Sequence, residues 1–288
     1  MARSPVLERI LSLDPARDHT EILYLSTRYD FPFDTVRSLE LALFRTFAVP
    51  SISAILARTG EFLERAARRY DDTDLLVSEL VEHGYNSERG CAAIARMNEI
   101  HGRFKIANDD FLYVLSTFVY EPIRWNERFG WRPLSGNERL AYFHFWWQVG
   151  TRMGINQIPP TFDKFSQWSL DFERARFQLT EDNRRVGDAV RTLFQSWFPK
   201  PLRGLAEQGM YALMDEPLRA AFGYPEPKRW LRAVTERAMR ARRGALPWLP
   251  RRSTPFLRTT LARPGYPEGY RIGDLGPPPQ STVMTTPR

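Results

Sequence analysis

Apolar residues recur three and four positions apart along most of the chain, the spacing that lines one face of an α-helix. Val36, Leu39, Leu43 and Phe47 form one such stripe. Ser135-Gly-Asn-Glu138 has the reciprocal capping-box pattern and opens an apolar segment through Tyr142, Trp146 and Val149. Thr180, followed by Glu-Asp, opens another that carries Val186, Val190, Leu193 and Trp197 until Pro199 and Pro201 stop it. Gly84 closes a helix over residues 74–83, and Ser87-Glu88 caps the next. Asn-Gly and Gly-Gly, the dipeptides of tight hairpins, do not occur. The pattern predicts an all-α body over residues 1–243.

After Gly244 the pattern changes. Pro247, Pro250, Pro255, Pro264, Pro267 and the run Pro277, Pro278, Pro279 exclude a continuous helix. Trp248, Leu249, Phe256, Leu257, Tyr266 and Tyr270 are spaced along the segment as anchors. Residues 244–288 are therefore expected to lie as an extended strap on the helical body, fraying past about Gly276.

The 288 residues suffice for a full core, and 43% apolar with 26% charged residues is the balance of an ordinary soluble protein. No apolar run is long enough to span a bilayer, and charge near the start interrupts any signal peptide, so a soluble, cytoplasmic chain is expected. The single cysteine, Cys91, excludes an internal disulfide, a cysteine zinc site and the attachment motif of c-type haem. Its place at a helix start fits a small buried side chain. The net charge of +7 is uneven: residues 228–263 hold eleven bases against Glu236, which is +10, and residues 264–288 balance. Such a stretch can meet anionic lipid, or it can be a solvated face in a chain that uses Arg for all but four of its 41 bases. Few aromatics interleave it and no nucleic-acid module is present, so nucleic acid is not expected as a partner.

Among sites that could carry chemistry, many are excluded. The four histidines, His19, His83, His101 and His144, belong to no Glu-x-x-His or His-Glu-x-x-His pattern. No nucleophile elbow, P-loop or dinucleotide fingerprint occurs. His101 stands out because Cys91, Ile94, Met97 and His101 make one helical stripe, so a neutral imidazole there faces whatever the stripe packs on. It is either a core histidine bonded to a carbonyl or a ligand. Arg69 and Thr73, four apart, share a face and can bind a carboxylate or a polarised oxygen, or can be unrelated surface residues. Asn108, Asp109 and Asp110 sit where a helix begins and read as caps.

Four segments together carry a resemblance. Arg69-Tyr-Asp-Asp-Thr73, Ala95-Arg-Met-Asn-Glu-Ile-His101, Ile106-Ala-Asn-Asp-Asp-Phe-Leu-Tyr-Val-Leu115 and Glu121-Pro-Ile-Arg-Trp125 resemble the MpaB-type oxygenases. More distantly the Arg-x-x-x-Thr plus His arrangement is similar to the rubber oxygenases. Trp131-Arg-Pro-Leu134 and Gly150-Thr-Arg-Met-Gly-Ile155 extend the likeness over most of the helical body.

The resemblance implies a globin-like helical core around a b-type haem, with His101 as the iron ligand and Arg69 and Thr73 on the distal side. It implies an O₂-dependent cleavage of a C=C bond in a lipophilic, isoprenoid or prenylated small molecule. Two departures stand out: rubber-cleaving relatives carry a Lys before the Thr that can cap the iron, where this chain has Asp72, and their proposed base glutamate has no match. Fungal relatives carry an N-terminal membrane anchor, for which no counterpart is expected here; contact with membrane, if any, is expected to be peripheral. The rival expectation is a haem or lipid carrier without chemistry, docked through its basic C-terminal segment.

Overall fold

Ser4, Ser87, Ser135, Thr161, Thr180 and Asp215 each accept a bond from a backbone N–H of the turn they open, and these caps fix where helices begin. The computed structural model describes residues 4–277. Its α-helices are α1 (Pro5–Ser12), α2 (His19–Leu25), α3 (Pro32–Phe47), α4 (Pro50–Thr59), α5 (Glu61–His83), α6 (Glu88–His101) and α7 (Asn108–Arg128). There follow α8 (Gly136–Arg152), α9 (Phe162–Arg176), α10 (Glu181–Ser196), α11 (Arg203–Leu213), α12 (Glu216–Ala220) and α13 (Arg229–Ala245). Among the described residues there is no strand, only an isolated bridge between Arg263 and Tyr266. The molecule is all-α, as the periodicity predicts.

Helix pairing follows the apolar stripes. α3 lies along α7, α2 along α8, and α5 against both α6 and α10. The larger core joins α5 through α8, with Leu75, Leu80, Ile94, Leu112, Val119, Tyr142 and Trp146 buried in it. The second gathers Phe44, Phe47, Phe62, Val190, Phe194 and Phe222. α6 approaches the end of α5 so closely that a Cβ on Gly90 would stand 2.0 Å from the Gly84 carbonyl oxygen. Only glycine allows that approach, and it sets the spacing of the two helices that carry the candidate residues. Between the cores Arg45 of α3 pairs with Glu121 of α7 at 2.9 Å, Glu173 of α9 at 3.1 Å, and Asp215. Glu121 and Glu173 are shielded with the guanidinium while Asp215 is exposed, so loss of Glu121 would leave a buried charge short of its partner.

Among the described residues no single helix is long and apolar enough to cross a membrane. α3 and α4 together have the composition, but they are bent 96° to each other.

Beyond α13 the chain becomes a strap, and it lies on α5. Gly265 N–H donates to Asp71 (2.9 Å) and Tyr266 OH to Asp72. Arg258 and Arg263 both pair with Asp74, Tyr270 OH donates to Glu79, and Thr259 Oγ1 donates to Glu82 (2.6 Å). The expected fraying begins at residues that lie, from 278 on, outside the described ones.

Several local expectations are corrected. Cys91 is exposed rather than buried, because the first turn of α6 leaves it at the surface, beside the Tyr85 carbonyl. Asn108 is not a cap: Ala107 precedes α7, and the Asn108 side chain instead exchanges two bonds with the Asn156 backbone, at 2.8 and 3.0 Å. Trp248 and Leu249 do not anchor the strap; they are exposed at the turn that follows α13, whereas Tyr266 is buried. The basic stretch is not all one solvated face either, since Arg258 and Arg263 are buried on α5 and Arg242 is paired to Asp34 at 2.8 Å.

Candidate functional site

A cavity of about 270 Å³ opens between α3, α4, α5, α6 and α7. The stripe on α3 builds one wall, with Val36, Leu39, Leu43 and Phe47 all facing in. Phe111, Leu115 and Phe118 of α7 and Trp146 and Val149 of α8 add more apolar surface. Gly276 and Pro277, at the end of the described strap, close one side. Gly276 has φ +89° and would place a Cβ 2.4 Å from Ile100 Cδ1, so the strap meets α6 at a point only glycine fits.

The structure brings Arg69, Thr73 and His101 to this one cavity. Arg69 and Thr73 lie on the unbroken part of α5, beyond a non-helical residue at Arg65. Arg69 Nη1 donates to Thr73 Oγ1 at 2.5 Å, and the guanidinium lies 5.3 Å from the centre of the Phe62 ring. Arg69 makes no ion pair among the described residues. Burial draws its affinity for a proton below the ordinary arginine value, with Asp72, Glu61 and Tyr266 pulling the other way. Its positive charge therefore faces an apolar space, a position that favours an incoming electron-rich group.

His101 ends α6 with its ring edge-on to Phe111 at 5.2 Å. Desolvation first, and the Arg69 charge second, push its pKa down to about 4. The imidazole is thus neutral at neutral pH. Its Nδ1 is buried and has no hydrogen-bond partner among the described residues, which removes the carbonyl-bonded histidine of the sequence reading for that nitrogen. The apolar stripe holds in part: Ile94 is buried and Met97 lines the cavity beside His101, but Cys91 faces outward.

Asp72, where rubber-cleaving relatives carry Lys, is buried and accepts from Tyr266 OH, so it is committed to the strap. No group of three metal-ligating His, Cys, Asp or Glu side chains occurs among the described residues. The His101 imidazole, the Arg69 guanidinium and the Thr73 hydroxyl thus share a mostly apolar chamber.

Sequence reasoning missed Glu40 and Tyr70. Both line the cavity, and Tyr70 OH donates to Glu40 Oε1 at 3.0 Å while Arg37 Nη2 holds the same oxygen at 2.6 Å. Burial raises the Glu40 carboxyl to about 7. The signal was available: Glu40 is an acid set within the apolar stripe Val36, Leu39, Leu43.

Residues 38–244 match the family described as ER-bound oxygenase mpaB/B'/rubber oxygenase, catalytic domain. Over 238 residues, 76% of the chain, it is 32% identical to the ER-bound oxygenase mpaB' of Penicillium brevicompactum, covering 56% of that protein. It is 32% identical over 219 residues to the ER-bound oxygenase mpaB of Penicillium roqueforti (strain FM164), covering 70% of the chain and 74% of that protein. The mpaB of Penicillium brevicompactum is 34% identical over 194 residues, 61% of the chain and 50% of that protein. The chain thus spans about half the length of two of these relatives and about three quarters of the third.

Proposed function

The chain belongs to the mpaB/B' and rubber oxygenase catalytic-domain family, and on that premise we propose that it is a haem-b-dependent oxygenase cleaving a C=C bond of a lipophilic, isoprenoid or prenylated substrate. The observation that carries this reading is the half-buried His101 imidazole, whose buried Nδ1 is unbonded on the wall of an apolar cavity. A neutral imidazole is the form that ligates iron, and an apolar chamber suits a porphyrin. His101 would hold the iron. When bound, haem supplies the one-electron chemistry by which dioxygen reacts with an alkene.

The chain's own side chains do the rest. Arg69 presents N–H donors toward the oxygen of the co-substrate and orients it, and Thr73 fixes the guanidinium, accepting from Nη1 at 2.5 Å while its own O–H donates to the Arg69 carbonyl at 3.2 Å. Val36, Leu39, Leu43 and Phe118 bind an apolar chain by removing its surface from water and keep water from the reacting carbon. Asp72, turned to Tyr266, puts no lysine ammonium next to Thr73 that could close over the iron.

Purified protein supplied with haemin tests the proposal. The wild type is expected to show a Soret band that shifts with CO, at one haem per chain. His101→Ala is expected to fold yet lose most of that pigment, whereas Arg69→Ala keeps it and loses turnover of a prenylated substrate. A wild type that takes up no haem overturns the reading. Haem uptake without O₂-dependent product supports the carrier instead.

A further inference from the structure

Three of the eight tryptophans are displayed on the surface: Trp197 is 44% exposed, Trp230 60% and Trp248 80%. They are joined by neighbours of the same character. Phe198, Leu202 and Leu205 continue from Trp197 as exposed side chains, and Leu249 continues from Trp248. On α13, Leu231 is buried, Thr235 faces Gly209 of α11 and Arg242 pairs with Asp34, so these three mark the inward side. Trp230, Val234 and Ala241, at i, i+4 and i+11, form an outward apolar stripe beside it, flanked by Arg229, Arg237 and Arg240.

Cation–π contacts tie the helix to the rest of the band. The Arg242 guanidinium lies 4.1 Å from the Phe33 ring, and Arg37 lies 5.7 Å from both Phe33 and Trp197. Phe33 is itself exposed. Aromatic and cationic side chains therefore meet from Trp197 through Arg37 and Phe33 to Arg242 of α13, and Trp230 and Trp248 are exposed on that helix and just after it.

We propose that this band is a docking surface for the face of an anionic lipid bilayer, the protein lying on the membrane rather than spanning it. Amphipathic helices rich in Arg on one edge, with Trp and Leu on the other, partition into the headgroup boundary, and Trp is favoured there. Arginine stems also cover apolar surface while their heads reach phosphate. The charge complements such a surface: Arg242, Arg258 and Arg263 are spent on Asp34, Asp71 and Asp74, but Lys200, Lys228, Arg229 and Arg237 make no ion pair among the described residues. A second copy of the chain would bring the same positive charge against it, which argues against self-association through this face.

The band also adjoins a wall of the site. Trp197 and Arg37 line a second cavity of about 240 Å³, and Val36 and Tyr70 are walls of both that cavity and the one holding His101. Docking would bring the bilayer that dissolves a lipophilic molecule to this side of the chain. The docking proposal stands on the surface alone and does not depend on haem.

Flotation with vesicles tests it, comparing neutral phosphatidylcholine with vesicles in which roughly a third of the lipid is phosphatidylserine, since each base near an anionic surface adds about 1 kcal/mol. Binding is expected to the anionic vesicles, to weaken with salt, and to be accompanied by quenching of tryptophan emission by acyl-brominated lipid. Arg237→Glu/Arg240→Glu is expected to weaken partitioning by about thirtyfold or more, the value for two bases at about 1 kcal/mol each. Trp230→Ser/Trp248→Ser is expected to abolish most of the brominated-lipid quenching; circular dichroism checks that both variants fold. No flotation at low salt, flotation unchanged in both variants, or no quenching in the wild type overturns the proposal. So does a dimer in vesicle-free solution that the same variants dissociate, which would assign the face to a second copy.

Discussion

Glu40 shares its stripe on α3 with Val36, Leu39 and Leu43, so the fold carries a carboxyl into an apolar wall. Two donors compensate it on one oxygen, Tyr70 OH at 3.0 Å and Arg37 at 2.6 Å, yet desolvation dominates and raises it from 4.5 to about 7. Folded chains therefore keep a proton on Glu40 that unfolded chains release between pH 4.5 and about 7. The stabilisation is complete below the unfolded value and is lost as pH rises through the folded one. The loss amounts to about 3 kcal/mol over that window, on the order of 1.4 kcal/mol per unit. Glu40→Gln has no such proton to lose. Urea unfolding at pH 4.5, 6 and 8 is thus expected to show the wild type losing about that much stability relative to the variant. A difference that stays flat across pH would mean that Arg37 holds Glu40 ionised throughout.

At the scale of elements, α5 is the most heavily committed helix, because its acids at 71, 72, 74, 79 and 82 are all engaged by the strap. Tyr266 OH supplies the bond to the buried Asp72, next to Thr73 in the chain, and Arg68 lies 4.8 Å over its ring. Removing that hydroxyl leaves a buried carboxylate short of a donor, which costs about 1–3 kcal/mol. Tyr266→Phe is therefore expected to lower the thermal midpoint by roughly 2–12 °C, at about 2–4 °C per kcal/mol for a chain of this size. A shift below a degree would mean that the strap merely rides on the surface. This staple was not legible in the sequence. The caps at Ser87, Ser135 and Thr180 and the stripe on α3 were, because both are local patterns within a few residues of each other. So was the meeting of Arg69, Thr73 and His101, though through the resemblance more than through spacing. Pairings such as Tyr266 with Asp72 join positions about 190 apart, and periodicity names the face that packs without naming its partner. Cys91 and Trp248 were misplaced for the same reason, since each stands on a face whose neighbour the sequence does not specify.

Taken whole, the molecule encloses apolar walls that its own side chains do not fill: α3 and α7, its closely paired helices, both turn part of their apolar surface to the cavity rather than to each other. Protein interiors are otherwise close-packed, so walls without partners forgo dispersion and burial that a ligand can restore. A ligand that binds the folded state alone adds to stability as RT ln(1 + [L]/Kd), about 2.7 kcal/mol at a hundredfold excess over Kd. If His101 holds haem in this chamber, haemin at such an excess is expected to raise the thermal midpoint of the ligand-free chain by about 5 °C or more. The same addition to His101→Ala is expected to give little of that gain, because the porphyrin would retain its apolar contacts but lose the iron ligand. The comparison needs no substrate and no turnover. Equal gains in the two proteins would show that haemin is bound by its apolar surface alone, and His101 would return to being a core residue beside an apolar binding chamber.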